Sequence, residues 1–360
     1  MQSGELSALC ALHSIRGIGN RTLTRIYQQQ VPFTEIYSAP AASLKNFGLK
    51  PNTIDQLLAY RARHDMHEQI SGYQRQGISV KTLPDEDYPE LLRNIYNPPF
   101  ILYYKGDFSL TQQFGIAIVG SRAATVYGRT QTHQLAFDLA RYQVTVVSGM
   151  ARGIDTQAHK GALAAGGKTI AVLGSGVDVI YPGENYWLAQ EIIDTGLLIS
   201  EFAPGTRPEP GNFPMRNRTI SGLAHGLAVM EAKLQSGALI TADFALEQGR
   251  DVFALPGPVN NATSQGCNYL IQQGAMLLTG AADILAEYGI EVNEIKAADS
   301  EVKLDQNQLK VIECLQSGSL HIDALRNTTG MHPGLLSSVL LQLELQGLIQ
   351  VTVGNMYSLL

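Results

Sequence analysis

The stretch Phe213–Thr241, FPMRNRTISGLAHGLAVMEAKLQSGALIT, decides how the rest of the chain is read. It opens with Phe213-Pro214-Met215-Arg216-Asn217-Arg218, two cations two residues apart beside an aromatic ring. The apolar run Leu227-Ala228-Val229-Met230 follows and ends at Glu231. Ser236-Gly237-Ala238-Leu239-Ile240-Thr241 is then a small-residue turn leading into a helical pattern. A basic loop, a buried strand and a glycine turn in succession mark a ligand face at the end of a parallel sheet. The cations point to a ligand that carries phosphates.

Working outward, residues 114 to about 288 alternate short apolar runs with helical patterns. The predicted strands are Gly115–Val119, Val144–Ser148, Thr169–Leu173, Gly196–Ser200, Leu227–Met230, Asp251–Ala254 and Ala275–Leu278. They are rich in Val, Ile and Leu, as strands buried on both faces are. The pattern predicts an α/β fold, an extended Rossmann-like doubly wound parallel sheet, with its ligand at the strand carboxyl ends.

Several of those ends carry glycine turns. The first reads Gly120-Ser121-Arg122, with a helix beginning near Thr125. There Gly120 admits a ligand close to the backbone, and the Ser121 and Arg122 amides lie near a helix N-terminus that favours anions. A packing glycine beside a surface arginine is the alternative reading of the same residues. The second end is Ser148-Gly149-Met150-Ala151-Arg152-Gly153-Ile154-Asp155; Asp155 reads as a cap or ion-pair partner, and His159 as a surface helix residue. The third is Gly174-Ser175-Gly176, followed by Tyr181-Pro182. Together these ends and Phe213–Arg218 outline a shallow trough. Arg122, Arg152, Arg216, Arg218 and Lys233 are its phosphate candidates, with Asn217 between two of them, and Phe213 is placed to stack a base. Cations with an aromatic between them suit a groove that tracks a single strand.

Catalytic patterns are poor. There is no GxGxxG, GxSxG or HExxH. Gly161–Lys168 has glycines before a lysine, but Thr169 starts a strand where a P-loop needs a helix. Glu231 is a lone carboxylate, a type more often structural than catalytic. No metal or cofactor site is expected.

The flanks differ from this core. Residues 1–78 read as short helices around Ile15-Arg16-Gly17-Ile18-Gly19, a turn like that of helix-hairpin-helix modules, with Arg21 and Arg25 nearby. Two roles fit it: contact with DNA phosphates, or interdomain packing by a turn that needs glycine. A second helical pattern spans 52–76, and Phe100–Tyr104 reads as an edge or lead-in strand. Residues 79–290 form the sheet domain, 291–304 a polar linker, and 305–360 three helices and a hairpin around Gly354, the winged-helix plan. The third of those helices, His332–Gln346, has no Lys or Arg. A duplex-reading winged helix offers cations there, so this one is expected to contact protein or to regulate.

Totals bound the rest. With 360 residues, 45% hydrophobic and 16% charged, the chain is long enough for two or three soluble domains. A net charge of -6 argues against nucleic acid coating its whole surface but leaves room for a local basic site. Cys10, Cys267 and Cys314 are scattered, which suits reduced thiols in a cytoplasmic protein. Neither a leader pattern nor a membrane-length apolar run is present.

Taken jointly, Gly120-Ser121-Arg122, Ser148–Asp155, Gly174–Gly176, Tyr181-Pro182, Phe213–Arg218, Glu231, Ser236–Thr241 and Pro256-Gly257 resemble the DNA-processing protein A (DprA or Smf) family across the whole central domain. The N-terminal helix-hairpin-helix/SAM-like module and the winged helix suit the same architecture. The resemblance implies a non-enzymatic, cytoplasmic protein of natural transformation. Such proteins bind and protect incoming single-stranded DNA, load the recombinase RecA onto it, and dimerise through the Rossmann domain. By position, the resemblance assigns DNA contact to Gly120, Ser121, Arg122, Phe213, Arg216 and Arg218. Some relatives carry a lysine where this chain has Pro210, so that contact must come from elsewhere, with Lys233 and Arg152 as candidates. The competing expectation is a nucleotide-processing enzyme akin to phosphoribohydrolases, whose PGGxGT turn is replaced here by Ser236–Thr241 without paired glycines. A weaker one is a sensor that binds a small nucleotide in the same pocket.

Overall fold

The computed structural model describes residues 3–291, 304–316, 318–345, 348–352 and 354–359, in two compact units, Met1–Glu291 and Val292–Leu360. The first unit is built on nine strands. They are β1 (Ser79–Thr82), β2 (Ile101–Gly106), β3 (Gly115–Val119), β4 (Thr145–Ser148), β5 (Thr169–Val172), β6 (Leu197–Ser200), β7 (Gly226–Val229), β8 (Asp251–Ala254) and β9 (Met276–Leu277). Their order across the sheet is β1-β2-β6-β5-β4-β3-β7-β8-β9. From β6 to β9 neighbours run parallel, while β2 is antiparallel to both β6 and β1. The seven expected core strands all form, each within one residue at either end. Phe100–Tyr104 is not at the edge. Ser79–Thr82, too short and polar to announce itself, pairs along its outer side from Thr82↔Ile101 to Ser79↔Tyr104.

Alternation along the strands builds two cores. Ile116 and Ile118 face one side with Val146, Ala228 and Met230, under the helices Val126–Arg141, Ile154–Ala164 and Ala281–Glu287. Ala117 and Val119 face the other with Val147, Leu227 and Val229, under the helices Asn212–Gly222 and Gly237–Glu247. The chain steps outward from β3 to β6, then returns across the sheet to β7 on the other flank of β3. This reversal opens a crevice at the carboxyl ends of β3 and β7, where doubly wound sheets bind ligands.

The N-terminal helices Ser3–His13, Asn20–Gln28, Phe33–Ser38, Ala41–Leu44, Pro51–Arg61 and Met66–Arg75 share a core with β2, where Leu9, Leu12 and Ile18 meet Phe100 and Tyr103. The helical pattern over 52–76 is two helices. Asp65 separates them and caps the second, accepting from the His67 amide at 2.6 Å. At the glycine turn, Gly17 sits at φ +99°. Asn20 beside it donates to the Pro98 carbonyl (2.8 Å) and accepts from the Phe100 amide (2.5 Å). The turn therefore packs the helices onto the sheet domain, while Arg16 and Arg21 stay exposed.

In the second unit the helices Gln306–Leu315, Ile322–Thr329 and Pro333–Leu345 enclose Val311, Leu325, Leu336, Leu340 and Ile349. Strands β10 (Leu320–His321), β11 (Ile349–Thr352) and β12 (Met356–Leu359) form a sheet in the order β10-β12-β11, completing a winged helix. The interior of the polar stretch 291–304 lies outside the described residues. No helix among the described residues is long and apolar enough to cross a membrane.

Candidate nucleic-acid interface

The residues Phe213–Arg218, read as a basic loop, instead form the opening of the helix Asn212–Gly222. Pro214 is tolerated because its missing N–H falls in the first turn, where no intrahelical partner exists. The helix changes the geometry of the site. At 3.6 residues per turn, Arg216 and Arg218 point about 200° apart and cannot share one wall. Phe213, Arg216, Asn217 and Ile220, at i, i+3, i+4 and i+7, line a cavity of about 630 Å³ at the sheet crevice. Gly120, Ser121 and Arg122 after β3, and Lys233, Ser236 and Gly237 after β7, complete it. Pro210 is also in the lining, and Lys233 supplies a cation there.

Each cation has a different status. Arg122 is exposed, with its guanidinium 5.1 Å from the Phe213 ring centroid. Lys233 is exposed at the rim. Arg216 is 3% exposed. Its Nη1 donates to the Gly149 carbonyl (2.6 Å) and to the Val172 carbonyl, and its Nε to Asn217 Oδ1 (3.3 Å). Among the described residues nothing accepts a hydrogen bond from its Nη2. Burial pulls the Arg216 pKa down to about 10, against the pull of Asp155, and burial likewise raises that of Asp155, which Arg216 opposes. Gly149 lies between the two side chains; a Cβ there would come within 2.7 Å of both Arg216 Nη2 and Asp155 Oδ2. Phe213 lies against Gly174 and 5.8 Å from the Tyr181 ring.

Two expected contributors are engaged by carboxylates, although Arg152 still lines a small adjoining cavity with Arg122, Tyr181 and Phe213. Arg218 leaves the cavity and donates to Glu201 Oε2, in an ion pair whose side chains are 8% and 6% exposed. Arg152 makes a bidentate pair with Glu184, at 2.8 Å for both bonds. The Ser121 amide is not free for an anion either, since it donates to the Glu231 carbonyl at 2.7 Å. Gly120 serves packing as well as access, because a Cβ would fall 2.6 Å from Ile154 and 2.9 Å from the Glu231 carbonyl oxygen.

Glu231 is structural in this arrangement. Its carboxylate accepts from the Thr125 amide (2.8 Å) and hydroxyl (2.6 Å) and from the Thr263 hydroxyl (3.3 Å). It thus occupies the N-terminus of the helix Val126–Arg141, the position a nucleotide phosphate takes in dinucleotide-binding turns. It does not line the cavity. No cluster of three or more metal-ligating side chains occurs among the described residues.

His159, read as a surface residue, is fully buried below the Arg216 side of the crevice. Its Nδ1 lies 2.7 Å from the Thr169 hydroxyl, which itself donates to the Val146 carbonyl. Nδ1 must therefore carry the proton, leaving Nε2 bare and unpartnered. Burial, with the Arg216 charge adding to it, lowers this imidazole to about 3. Below the ordinary value near 6.5 the unfolded chain takes up a proton that the folded one refuses, so stability falls with pH. Burial also lowers His13, to about 4, so both histidines cost stability in acid. From pH 6 to pH 5, chemical denaturation should show His159→Gln losing about 1 kcal/mol less than wild type.

The sequence model of the family described as DNA recombination-mediator protein A matches residues 79–289, and that of the DprA winged helix domain matches 296–355. The chain is 33% identical over 397 residues to Protein Smf of Synechocystis, with 99% of each chain covered. It is 47% identical over 204 residues to DNA processing protein DprA of Streptococcus pneumoniae, covering 57% of this chain and 72% of that one. The X-ray structure of the S. pneumoniae protein superposes with a TM-score of 0.69 at 35% identity, over 80% of this chain and 98% of that one. DNA processing protein A of Helicobacter pylori, whose structure concerns its single-stranded DNA binding mode, superposes with a TM-score of 0.54 at 31% identity, over 59% and 95%. With a matching sheet domain, a matching winged helix and a full-length relative, the chain belongs to the DNA recombination-mediator protein A (DprA/Smf) family.

Proposed function

We propose that this protein binds single-stranded DNA in the crevice at the ends of β3 and β7, and that it acts in the cytoplasm during natural transformation to protect the strand and load RecA onto it. The observation that carries the binding step is the convergence of Arg122, Lys233 and the free Nη2 of Arg216 around the half-buried Phe213 ring. Cations meet the backbone and the ring meets a base, a pairing tolerant of sequence. The Ser236 hydroxyl, buried and without a protein partner, and the N-terminus of the helix Gly237–Glu247 add donors to the same wall. Gly120, Ser121 and Asn217 shape the floor and wall, whereas Arg152 joins only by leaving Glu184, and Arg218 holds the wall from behind.

A homodimer through the Rossmann domain fits the exposed apolar side chains Leu234, Ile240, Tyr269 and Leu277 on its β7–β9 side. The winged helix, with no cation on its third helix, suits a protein contact.

The test is fluorescence anisotropy with labelled oligothymidylate over a range of salt. Arg122→Ala/Lys233→Ala is expected to bind about tenfold or more weakly. Its log–log salt slope should fall by about 1.4, roughly 0.7 for each phosphate contact removed. Unchanged affinity and slope would place the strand elsewhere. Sedimentation of the wild-type complex reads the dimer, and RecA filament growth on the coated strand reads the loading step.

A further inference from the structure

We propose that the bound strand does not end in the crevice: it crosses Pro214 and continues into a second cavity, where Tyr96 stacks a base and Arg21 receives a phosphate. The inference rests on the single-strand reading above and extends it.

The second cavity, of about 610 Å³, lies on the other side of the helix Asn212–Gly222, between that helix and the start of the helix Asn20–Gln28. Pro214 lines both cavities, so one path over the helix N-terminus joins them. Met215 and Arg218, which the helical turn directs away from the crevice, line the second.

Tyr96 is 89% exposed, an unusual state for an aromatic residue whose neighbour Ile95 is 6% exposed. Its loop is held firmly. Asn97 adopts φ +61° and accepts a 2.7 Å hydrogen bond from Asn20, and two prolines follow. A ring fixed outward in this way loses little entropy on stacking.

Arg21 stands in the first turn of a nine-residue helix that has no acid in that turn and no side-chain cap. A helix N-terminus favours negative charge, so a cation there adds to a positive field with no internal partner. A phosphate answers both. Independent of that terminus, two side chains that line the cavity each carry an unpartnered buried polar atom. Arg218 is 6% exposed, and its buried Nη1 makes no hydrogen bond; neither does the Gln248 Oε1. Glu247 also lines the cavity, which keeps a phosphate on the Arg21 side.

Length separates the two cavities experimentally. Single-strand sites run from roughly 4 to 16 nucleotides, so oligothymidylates of about 6 and about 20 nucleotides bracket one cavity and both. Wild type, Arg21→Ala/Tyr96→Ala and Tyr96→Phe are titrated with each probe. Both side chains are exposed, and equal melting temperatures are expected. The double variant should bind the long probe at least about fivefold more weakly, with a salt slope lower by about 0.7, while the short probe is unaffected. Tyr96→Phe keeps the ring and should bind the long probe as wild type does. The proposal is overturned if the double variant binds the long probe like wild type, if both probes weaken equally, or if Tyr96→Phe loses as much as the double variant. Failure of wild type to bind either probe would instead overturn the single-strand reading itself, and this one with it.

Discussion

Arg218→Ala is expected to lose about 3–5 kcal/mol of stability, read by urea denaturation at neutral pH, because it strands a buried carboxylate. Glu201 lies just beyond β6 and is 7% exposed; its acceptors are met by Arg218 Nη2 and the Thr219 hydroxyl (3.3 Å). Burial already raises the Glu201 pKa, and Arg218 is the largest opposing influence. Without the guanidinium, the carboxyl is driven further toward its neutral form. A carboxyl whose folded pKa is raised contributes stability at low pH and loses it as pH rises through that value. The deficit of Arg218→Ala should therefore shrink in acid and widen toward neutrality. Glu201→Gln/Arg218→Met removes both charges and should lose much less, since a buried ion pair itself is often nearly neutral for stability. Equal losses in the single and double variants at all pH values would show that packing, not the unpaired charge, sets the penalty. In either case single-strand binding by the folded fraction changes little through the crevice, which Arg218 does not line.

This pair shows where the sequence stops being legible. The core strands could be read because each is apolar on both faces and ends in small residues, a local signal complete within five or six positions. The crevice followed from the alternation of strands and helices. The phase of the residues at 213–218 was different. Two arginines and a proline look the same in a loop and in a first helical turn, yet only the helix sends Arg216 to Gly149 and Arg218 to Glu201. Glu201 carries no motif; its role is set by a contact 17 residues away. His159 sits at a polar position of a short helix, and only the packing of β4 and β5 beneath it shows that it is buried. Gly120, read as an opening for ligand, is held equally by the close approach of Ile154 and the Glu231 backbone. Tyr96 gave no signal at all, because exposure of one ring depends on how the loop before β2 is pinned to Asn20.

Arg216→Ala should have the largest combined effect on fold and binding. Three things depend on this side chain. The Gly149 and Val172 carbonyls receive hydrogen bonds from Nη1, and Asp155 loses its nearest opposing charge if the guanidinium goes. An uncompensated buried charge with unsatisfied carbonyls beside it predicts a loss of about 3–5 kcal/mol. The cavity also loses the free Nη2 and the cation 6.0 Å from the Phe213 ring. Charge-assisted bonds of this kind are worth about 1.5–3 kcal/mol, so the folded variant should bind a single strand about 10- to 100-fold more weakly. Arg216→Lys separates the two roles. It retains the charge near Asp155, but an ammonium that takes the place of Nη1 on the two carbonyls leaves no second nitrogen to stand where Nη2 does. Intermediate stability with binding close to that of the alanine variant is the expected result. Asp155→Asn removes the carboxylate and keeps the fork, so it should retain binding. Measured at a temperature where each variant is folded, wild-type affinity in Arg216→Ala would make Arg216 a purely structural cation and leave recognition to Arg122 and Lys233.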